Sequence, residues 1–224
     1  MVGENEKNPN IDPMGNDNPF GSEAPQSPRA ACQLGILVLD GSGSMNDPDK
    51  NGNPKHQSVN SAVKETLSRL QTSAKKNAID LAIIKFGMEA ELIADVTPVV
   101  NLDPMQDYDP LIGGNTYVKK GLKIAAEVAE KYLKNPPVAG LPTTVVIIVL
   151  TDGGFSEDPN EVVAYIKQNN SITINACFFG KEANDNAINA LKSICTDPVN
   201  GYLTVYNTEQ IRKFFIASIS KIKN

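Results

Sequence analysis

Residues 34–45 read LGILVLDGSGSM, an apolar run that stops abruptly at an aspartate followed by a glycine-serine repeat. The apolar part suits a β-strand that is buried on both faces, as in a parallel sheet covered by helices. The two glycines allow a sharp turn after the strand. Ser42 and Ser44 lie two positions apart, so their hydroxyls point the same way from extended backbone. Asp40 with these paired hydroxyls has the composition of half an oxygen-only site for a hard cation such as Mg²⁺.

The composition is that of a folded chain without a basic surface. The chain has 224 residues and a formal net charge of −5, so it can bury a sizeable core and is not expected to bind nucleic acid. No apolar run approaches the roughly 20 residues of a membrane span, and residues 1–10 lack the apolar core of a signal peptide. Three cysteines without a CxxC spacing predict reduced thiols. We therefore expect a cytoplasmic protein without nucleic-acid or membrane partners.

Strand and helix patterns alternate along residues 31–224, after a polar, proline-rich arm over residues 1–30 that we expect to be disordered. Apolar runs predict strands over 34–40, 80–86, 90–96, 143–150, 172–179 and 203–206. Apolar stripes predict helices over 58–75, 117–133, 158–169 and 184–194, and a last helix that Thr208 opens as its N-cap. The short turn between strands two and three indicates a hairpin, which makes strand three an antiparallel edge. The alternation predicts an α/β fold with a mostly parallel sheet covered on both faces.

Two further polar breaks fall at the same edge of such a sheet. Asp152 follows a second buried strand, and Thr116 lies where a Gly-Gly turn meets a helix. In an open parallel sheet, ligands bind beyond the carboxyl ends of the strands, where the strand order reverses. The first and fourth strands flank that point in the usual winding, so Asp40 and Asp152 are predicted to lie side by side. A cation between the two carboxylates would relieve their repulsion.

These motifs together resemble the metal-ion-dependent adhesion site (MIDAS) of the von Willebrand factor type A (vWA) domain family. The D-G-S-G-S at 40–44, the Thr after Gly-Gly at 116 and the T-D-G at 151–153 match the family's D-x-S-x-S, Thr and Asp in order. The resemblance covers about residues 33–223. It implies a Rossmann-like, doubly wound, six-stranded sheet of order 3-2-1-4-5-6, with strand three antiparallel and helices on both faces.

The resemblance also implies a role for each site residue. Ser42 and Ser44 would bind Mg²⁺ directly, Thr116 would bind it directly or through water, and Asp40 and Asp152 would act through water and hydroxyl hydrogen bonds. Mn²⁺ or Ca²⁺ would be alternative ions. Hydroxyl ligands are neutral, so the dication stays under-neutralised and its open position favours an anionic oxygen. We therefore expect a protein-binding module in which a partner supplies a Glu or Asp to the metal.

The family resemblance extends to the cellular setting. Without a visible signal peptide or disulfide pairing, the chain resembles the intracellular, bacterial-type members of the family. Such members work with AAA+ ATPases, or with protein kinases and phosphatases in stress-response systems. The resemblance thus implies a partner of that class.

A polar loop after the first strand offers a second ion site. Asp47, Asp49 and Asn51 match the first half of an EF-hand calcium loop. The twelfth position of that loop should be a bidentate Glu, and here it is Ser58. A polar insertion at the rim of the metal face is the favoured interpretation, with a calcium site as the alternative. The acidic loop over 102–114 is expected to be solvated and to contribute to specificity.

The main alternative to binding is a metal-dependent hydrolase or phosphatase on a similar sheet. A haloacid-dehalogenase-type phosphatase needs Asp-x-Asp after strand one, and here Ser42 takes the second position. The sequence has no phosphate-binding P-loop and no dinucleotide fingerprint. Its only histidine, His56, is expected on the surface, and no G-x-S-x-G elbow accompanies it. We therefore predict that the chain is not an enzyme.

Overall fold

Buried apolar strands fill the centre of the molecule. The computed structural model describes residues 29–181 and 185–221. The strands are β1 (Cys32–Asp40), β2 (Ile79–Phe86), β3 (Ala90–Pro98), β4 (Thr143–Thr151), β5 (Ile172–Phe179) and β6 (Tyr202–Val205). The helices are α1 (Lys55–Gln71), α2 (Val118–Lys134), α3 (Asn160–Lys167), α4 (Asp185–Ile194) and α5 (Thr208–Ile219). The predicted disordered arm over residues 1–30 lies outside the described residues, except for its last two positions.

The six strands form one mixed sheet in the order β3-β2-β1-β4-β5-β6. Only the β2–β3 pair is antiparallel, and all the other neighbouring pairs are parallel. The predicted Rossmann-like α/β fold, its strand order and its antiparallel third strand are therefore confirmed. The strand order reverses between β1 and β4, whose carboxyl ends lie side by side with Leu39 opposite Leu150.

The sheet divides the core into two layers because alternate side chains of each strand point to opposite faces. In β1, Leu34, Ile36 and Val38 belong to the core layer that α2, α3 and α4 cover, while Leu37 and Leu39 belong to the layer under α1 and α5. Every residue of β1 is buried, as the unbroken apolar run predicts. The helices cover the sheet with one apolar stripe each. Among the described helices, none combines the length and apolar character needed to cross a bilayer.

The starts of α1 and α5 differ from the predicted ones. Helix α1 begins at Lys55 rather than at residue 58, because Pro54 stands before it and its carbonyl accepts the backbone N–H groups of Gln57 and Ser58. Lys55, His56 and Gln57, which precede the predicted helix, therefore form its first turn. The predicted N-cap of α5 was wrong by one residue: the side chain of Asn207, not of Thr208, accepts the backbone N–H of Gln210 at 3.0 Å.

A buried ion pair closes the edge of the sheet opposite the polar breaks. The guanidinium of Arg29 pairs with Asp80 near the start of β2, where the aspartate side chain is 2% exposed. Tyr132 of α2 donates a 2.5 Å hydrogen bond to the same carboxylate and accepts one from Arg29 at 3.1 Å. Burial and the charge of Asp80 together raise the pKa of the Tyr132 phenol. These contacts join the segment that precedes β1 to both β2 and α2.

Candidate metal centre

Asp40 is fixed beneath the site by two hydrogen bonds. It ends β1 fully buried, and its Oδ1 accepts the backbone N–H of Ser42 at 2.7 Å. Its Oδ2 accepts the hydroxyl of Thr151, the last residue of β4. Burial raises the pKa of Asp40 to about 6; the hydrogen bonds from Thr151 and Ser42 oppose that shift, and the nearby charge of Asp152 adds to it. The carboxylate is therefore held in one orientation at an energetic cost that a nearby cation would offset.

The two serines and Asp152 form a directed chain of hydrogen bonds. The hydroxyl of Ser44 donates to Asp152 Oδ1 at 2.7 Å, and the oxygens of Ser42 and Ser44 lie 3.2 Å apart. Since Ser44 has one hydroxyl proton and directs it at Asp152, Ser42 must be the donor in the pair of serines. Lone pairs of both hydroxyl oxygens then remain available to a cation.

Glycines bring Thr116 to the same edge. A Cβ added to Gly41 would lie 1.8 Å from the carbonyl oxygen of Pro110, so only glycine permits this close approach. The carbonyl of Gly41 accepts two backbone N–H groups of the 102–117 loop, at 2.8 and 2.7 Å. The Gly113–Gly114 turn has φ values of 88° and 75°, which favour glycine, and the Gly114 carbonyl accepts the N–H of Gly43 at 3.0 Å. The segment that carries Thr116 is thereby bonded to the serine loop.

Thr116 is also hydrogen-bonded to the loop that follows β4. Its backbone N–H donates to the hydroxyl of Ser156 at 3.1 Å, and the N–H of Ser156 donates back to its carbonyl at 3.0 Å. Thr116 is 8% exposed. The three segments that carry the five predicted ligands thus meet at one edge of the sheet, through direct hydrogen bonds between segments.

Lys55 is a site residue that the sequence analysis missed. Its ammonium lies 2.7 Å from Asp152 Oδ2, and the two side chains are 14% and 1% exposed. It precedes the helix predicted over 58–75, whereas in the structure it is the first residue of α1. The signal that could have found it is Pro54, because a proline that precedes a helical stripe often marks a helix start.

The loop over residues 46–54, which holds the second predicted ion site, is closed by its own hydrogen bonds. Asp49 is buried and accepts from the backbone N–H groups of Asn51 and Asn53, at 2.7 and 3.1 Å, and from the hydroxyl of Ser58 at 2.8 Å. Asp47 and Asn51 are exposed. This is the geometry of a self-contained polar loop, in which the Asp49 carboxylate is already occupied by donors.

The acidic 102–114 loop is tied to α1. The Asp109 carboxylate lies 2.8 Å from Nδ1 of His56, and Asp107 accepts a 2.6 Å hydrogen bond from the side chain of Asn60. His56 is 7% exposed, so the expectation of a surface histidine was wrong. It is buried because it belongs to the first turn of α1 and faces this loop rather than solvent. Tyr108, fully buried, anchors the loop from the inside.

The donor set fits a small hard cation. No group of three or more His, Cys, Asp or Glu side chains in the described residues is gathered as a metal site, so a cation here would rely on hydroxyl oxygens. Asp40 and Asp152 supply two carboxylates at this edge, and the ammonium of Lys55 pairs with one of them, Asp152, which leaves a negative excess. Hydroxyl and carboxylate oxygens are the ligands that Mg²⁺ and Ca²⁺ prefer.

Comparison with solved structures agrees with the fold. The pilus adhesin SpaC of Lactobacillus rhamnosus GG is 14% identical, with a TM-score of 0.67 over 88% of this chain and 31% of that chain. The vWF domain of the type V pili tip protein Mfa5 of Porphyromonas gingivalis is 12% identical, with a TM-score of 0.66 over 87% of this chain and 97% of that one. BatB of Bacteroides thetaiotaomicron is 16% identical, with a TM-score of 0.61 over 86% of this chain and 98% of that one.

The neighbours differ in how much of their own length this chain covers. The chain spans about a third of the length of the SpaC adhesin. No curated protein sequence matches it. The sequence profile of the von Willebrand factor type A domain matches residues 36–216, which is most of the chain. The chain therefore belongs to the von Willebrand factor type A domain family.

Proposed function

We propose that this domain binds a protein partner by capturing an acidic side chain at a divalent metal ion, Mg²⁺ being the expected ion. The observation that carries the proposal is the directed chain from Ser42 through Ser44 to Asp152, which leaves hydroxyl lone pairs free at the edge of the sheet. When bound, the dication would supply a Lewis-acidic position that attracts a carboxylate oxygen. Mn²⁺ and Ca²⁺ have the same preference for oxygen ligands.

Each residue has a separate task in this proposal. Ser42, Ser44 and Thr116 would hold the ion through neutral hydroxyl oxygens. Asp40 orients the Ser42 backbone, and Asp152 orients the Ser44 hydroxyl. The two carboxylates supply the negative charge that retains a dication, while the hydroxyls leave that charge incompletely balanced at the open side. A partner's carboxylate then completes the balance.

The rim of the site suits a protein surface. Met88 is 51% exposed and packs beside Gly114, where a Cβ added to the glycine would lie 3.1 Å from the Met88 Cβ. A flexible, polarizable thioether adapts to irregular apolar surfaces. An exposed ion pair lies beside it: Lys120 pairs with Glu89 at 2.9 Å and donates to the backbone carbonyl of Met88 at 2.6 Å. We propose that the partner presents its acidic residue next to an apolar one.

Binding is favoured over hydrolysis because the histidine that most often activates a serine nucleophile is engaged elsewhere. Asp152, which accepts the hydroxyl of Ser44, is itself paired with Lys55. His56, the only histidine, is committed to the pair with Asp109. General-base activation of a serine nucleophile needs such a group within hydrogen-bond reach. A metal-dependent hydrolase is therefore the less favoured alternative.

We also propose a cytoplasmic setting, with a partner from an AAA+ ATPase, kinase or phosphatase system of the stress-response type. The three cysteines are all free and buried, which suits a reducing compartment. The pilus adhesin and pilus tip protein with similar folds define the competing assignment, which is display outside the cell. Fractionation of the source cells, followed by detection of this chain, would separate the two locations.

A peptide experiment tests the proposed function. The domain would be titrated against a panel of peptides in matched pairs, each pair differing only by Glu or Gln at one position. We expect binders in Mg²⁺ that lose affinity both in EDTA and on the Glu-to-Gln exchange, and we expect Ser44→Ala to abolish that binding. Equal binding in EDTA, or equal binding of both members of each pair, would contradict the proposal.

A further inference from the structure

Lys55 lies inside the candidate metal centre and has no part in the proposed function. Its ammonium group is 2.7 Å from Asp152 Oδ2, and both side chains are largely withdrawn from water. The backbone N–H of Lys55 donates to the carbonyl of Asp47 at 3.0 Å, which fixes the base of the side chain beside the serine loop. This is a held ion pair rather than a loose surface contact.

The ion pair gives the second carboxylate oxygen of Asp152 a partner. Oδ1 of Asp152 accepts from Ser44, and Oδ2 accepts from Lys55, so both carboxylate oxygens are occupied by protein donors. A buried carboxylate that is paired in this way is stable without a metal. A divalent cation drawn to the same carboxylate would be repelled by the ammonium that this carboxylate already holds, and repulsion between like charges is strong where water is largely excluded.

We propose that Lys55 and the divalent ion compete for Asp152, so that Lys55 sets the metal affinity of the site and stabilises its metal-free state. The inference rests on the proposed function, because it assumes that Asp152 belongs to a metal centre. A purely structural ion pair would stabilise the fold and leave the metal affinity unchanged. The two roles therefore differ in one measurable quantity, the dissociation constant of the metal alone.

Three variants measure that constant by calorimetric titration with MgCl₂. Lys55→Met keeps the length of the side chain and removes its charge, and Lys55→Arg keeps the charge. Lys119→Met is the matched control, because Lys119 is three residues from Thr116 and pairs with the exposed Glu161 at 3.0 Å. We expect Lys55→Met to bind Mg²⁺ about tenfold more tightly than the wild type, since the variant removes the positive charge that would repel the ion at Asp152. Lys55→Arg and Lys119→Met should stay close to the wild-type value.

The thermal stability of the same proteins gives the second prediction. In EDTA, Lys55→Met should melt at a lower temperature than the wild type, because Asp152 keeps a buried charge without its partner. Added Mg²⁺ should raise its melting temperature more than it raises that of the wild type. An unchanged or weaker Mg²⁺ affinity in folded Lys55→Met would overturn the inference and leave the proposed function intact.

A measurement on the wild type covers the case in which Lys55→Met does not fold. Reductive methylation of Lys55, followed by mass spectrometry, should be slow in EDTA and faster at saturating Mg²⁺, because the ion releases the ammonium from Asp152. Equal rates would overturn the competition. If neither the wild type nor Lys55→Met gives a Mg²⁺ binding signal, the metal dependence of the proposed function fails, and the inference fails with it.

Discussion

Ser44 donates a 2.7 Å hydrogen bond to Asp152, a residue 108 positions later in the chain. The contact exists because β1 and β4 are parallel neighbours that end at the same edge of the sheet, with Leu39 opposite Leu150. A slip of one residue in either strand would turn every side chain to the other face and separate the two groups. The candidate site is therefore a direct product of the strand order and of the register between these two strands.

Asp40→Asn should weaken Mg²⁺ binding by about 100-fold while the domain stays folded. This is the upper end of the loss in metal affinity that follows removal of a residue supporting the metal ligands. The amide keeps an oxygen for the Ser42 backbone N–H but loses the charge that would attract the ion. Calorimetric titration with MgCl₂ measures the loss, and circular dichroism checks the fold. Asp95→Asn is the control, since Asp95 is exposed on the edge strand and its carboxylate accepts the backbone N–H of the neighbouring Val96 at 2.7 Å.

The raised pKa of Asp40 predicts how the stability of the metal-free domain depends on pH. Its folded value of about 6 lies above the ordinary value of 3.8, so protonation favours the folded state. The contribution of Asp40 to the free energy of unfolding is fully present below about pH 4 and is lost as the pH rises through 6. It corresponds to about 3 kcal/mol for a shift of about two pKa units. The free energy of unfolding in EDTA should therefore fall between pH 4 and 7 more steeply for the wild type than for Asp40→Asn.

Metal affinity should follow the opposite course. A dication favours the ionised carboxylate, so the affinity for Mg²⁺ should decrease as the pH is lowered through 6, by up to about tenfold per pH unit for one proton displaced. Titrations at pH 7.5, 6.5 and 5.5 measure this dependence. An affinity that does not change over this range would show that Asp40 does not exchange a proton for the ion.

The sheet could be predicted from the sequence because its signals are local and strong. The apolar run that ends at Asp40 and the one that ends before Asp152 each specify a buried strand, and the winding of such sheets places their ends together. Lys55 and His56 could not be placed, because their roles depend on where α1 begins. Pro54 and three polar residues resemble a loop until the first helical turn is seen to pack against Asp152 and Asp109.

Arg29 should mark the N-terminal limit of the stable domain. Arg29→Ala leaves the buried carboxylate of Asp80 without its cation, and we expect a loss of about 3 kcal/mol in the free energy of unfolding. Arg212→Ala is the matched control, because Arg212 pairs with the more exposed Glu65 and should cost less than about 1 kcal/mol. Urea titrations of both variants give the comparison. A shortened chain that starts at residue 29 should be as stable as the full chain, and equal costs for the two variants would contradict the assignment.

Gly41→Ala should disrupt the metal centre without altering any proposed ligand. The added methyl group would lie 1.8 Å from the Pro110 carbonyl oxygen, so the 102–117 loop must move away from β1 and carry Thr116 with it. We expect a destabilisation of about 2–4 kcal/mol, as for a strongly overpacked site, together with loss of Mg²⁺ binding. Gly154→Ala is the control in the neighbouring loop, since a Cβ there meets no atom within 4 Å. If Gly41→Ala bound Mg²⁺ as tightly as Gly154→Ala, the contact between Gly41 and the loop would not be what holds Thr116 in the site.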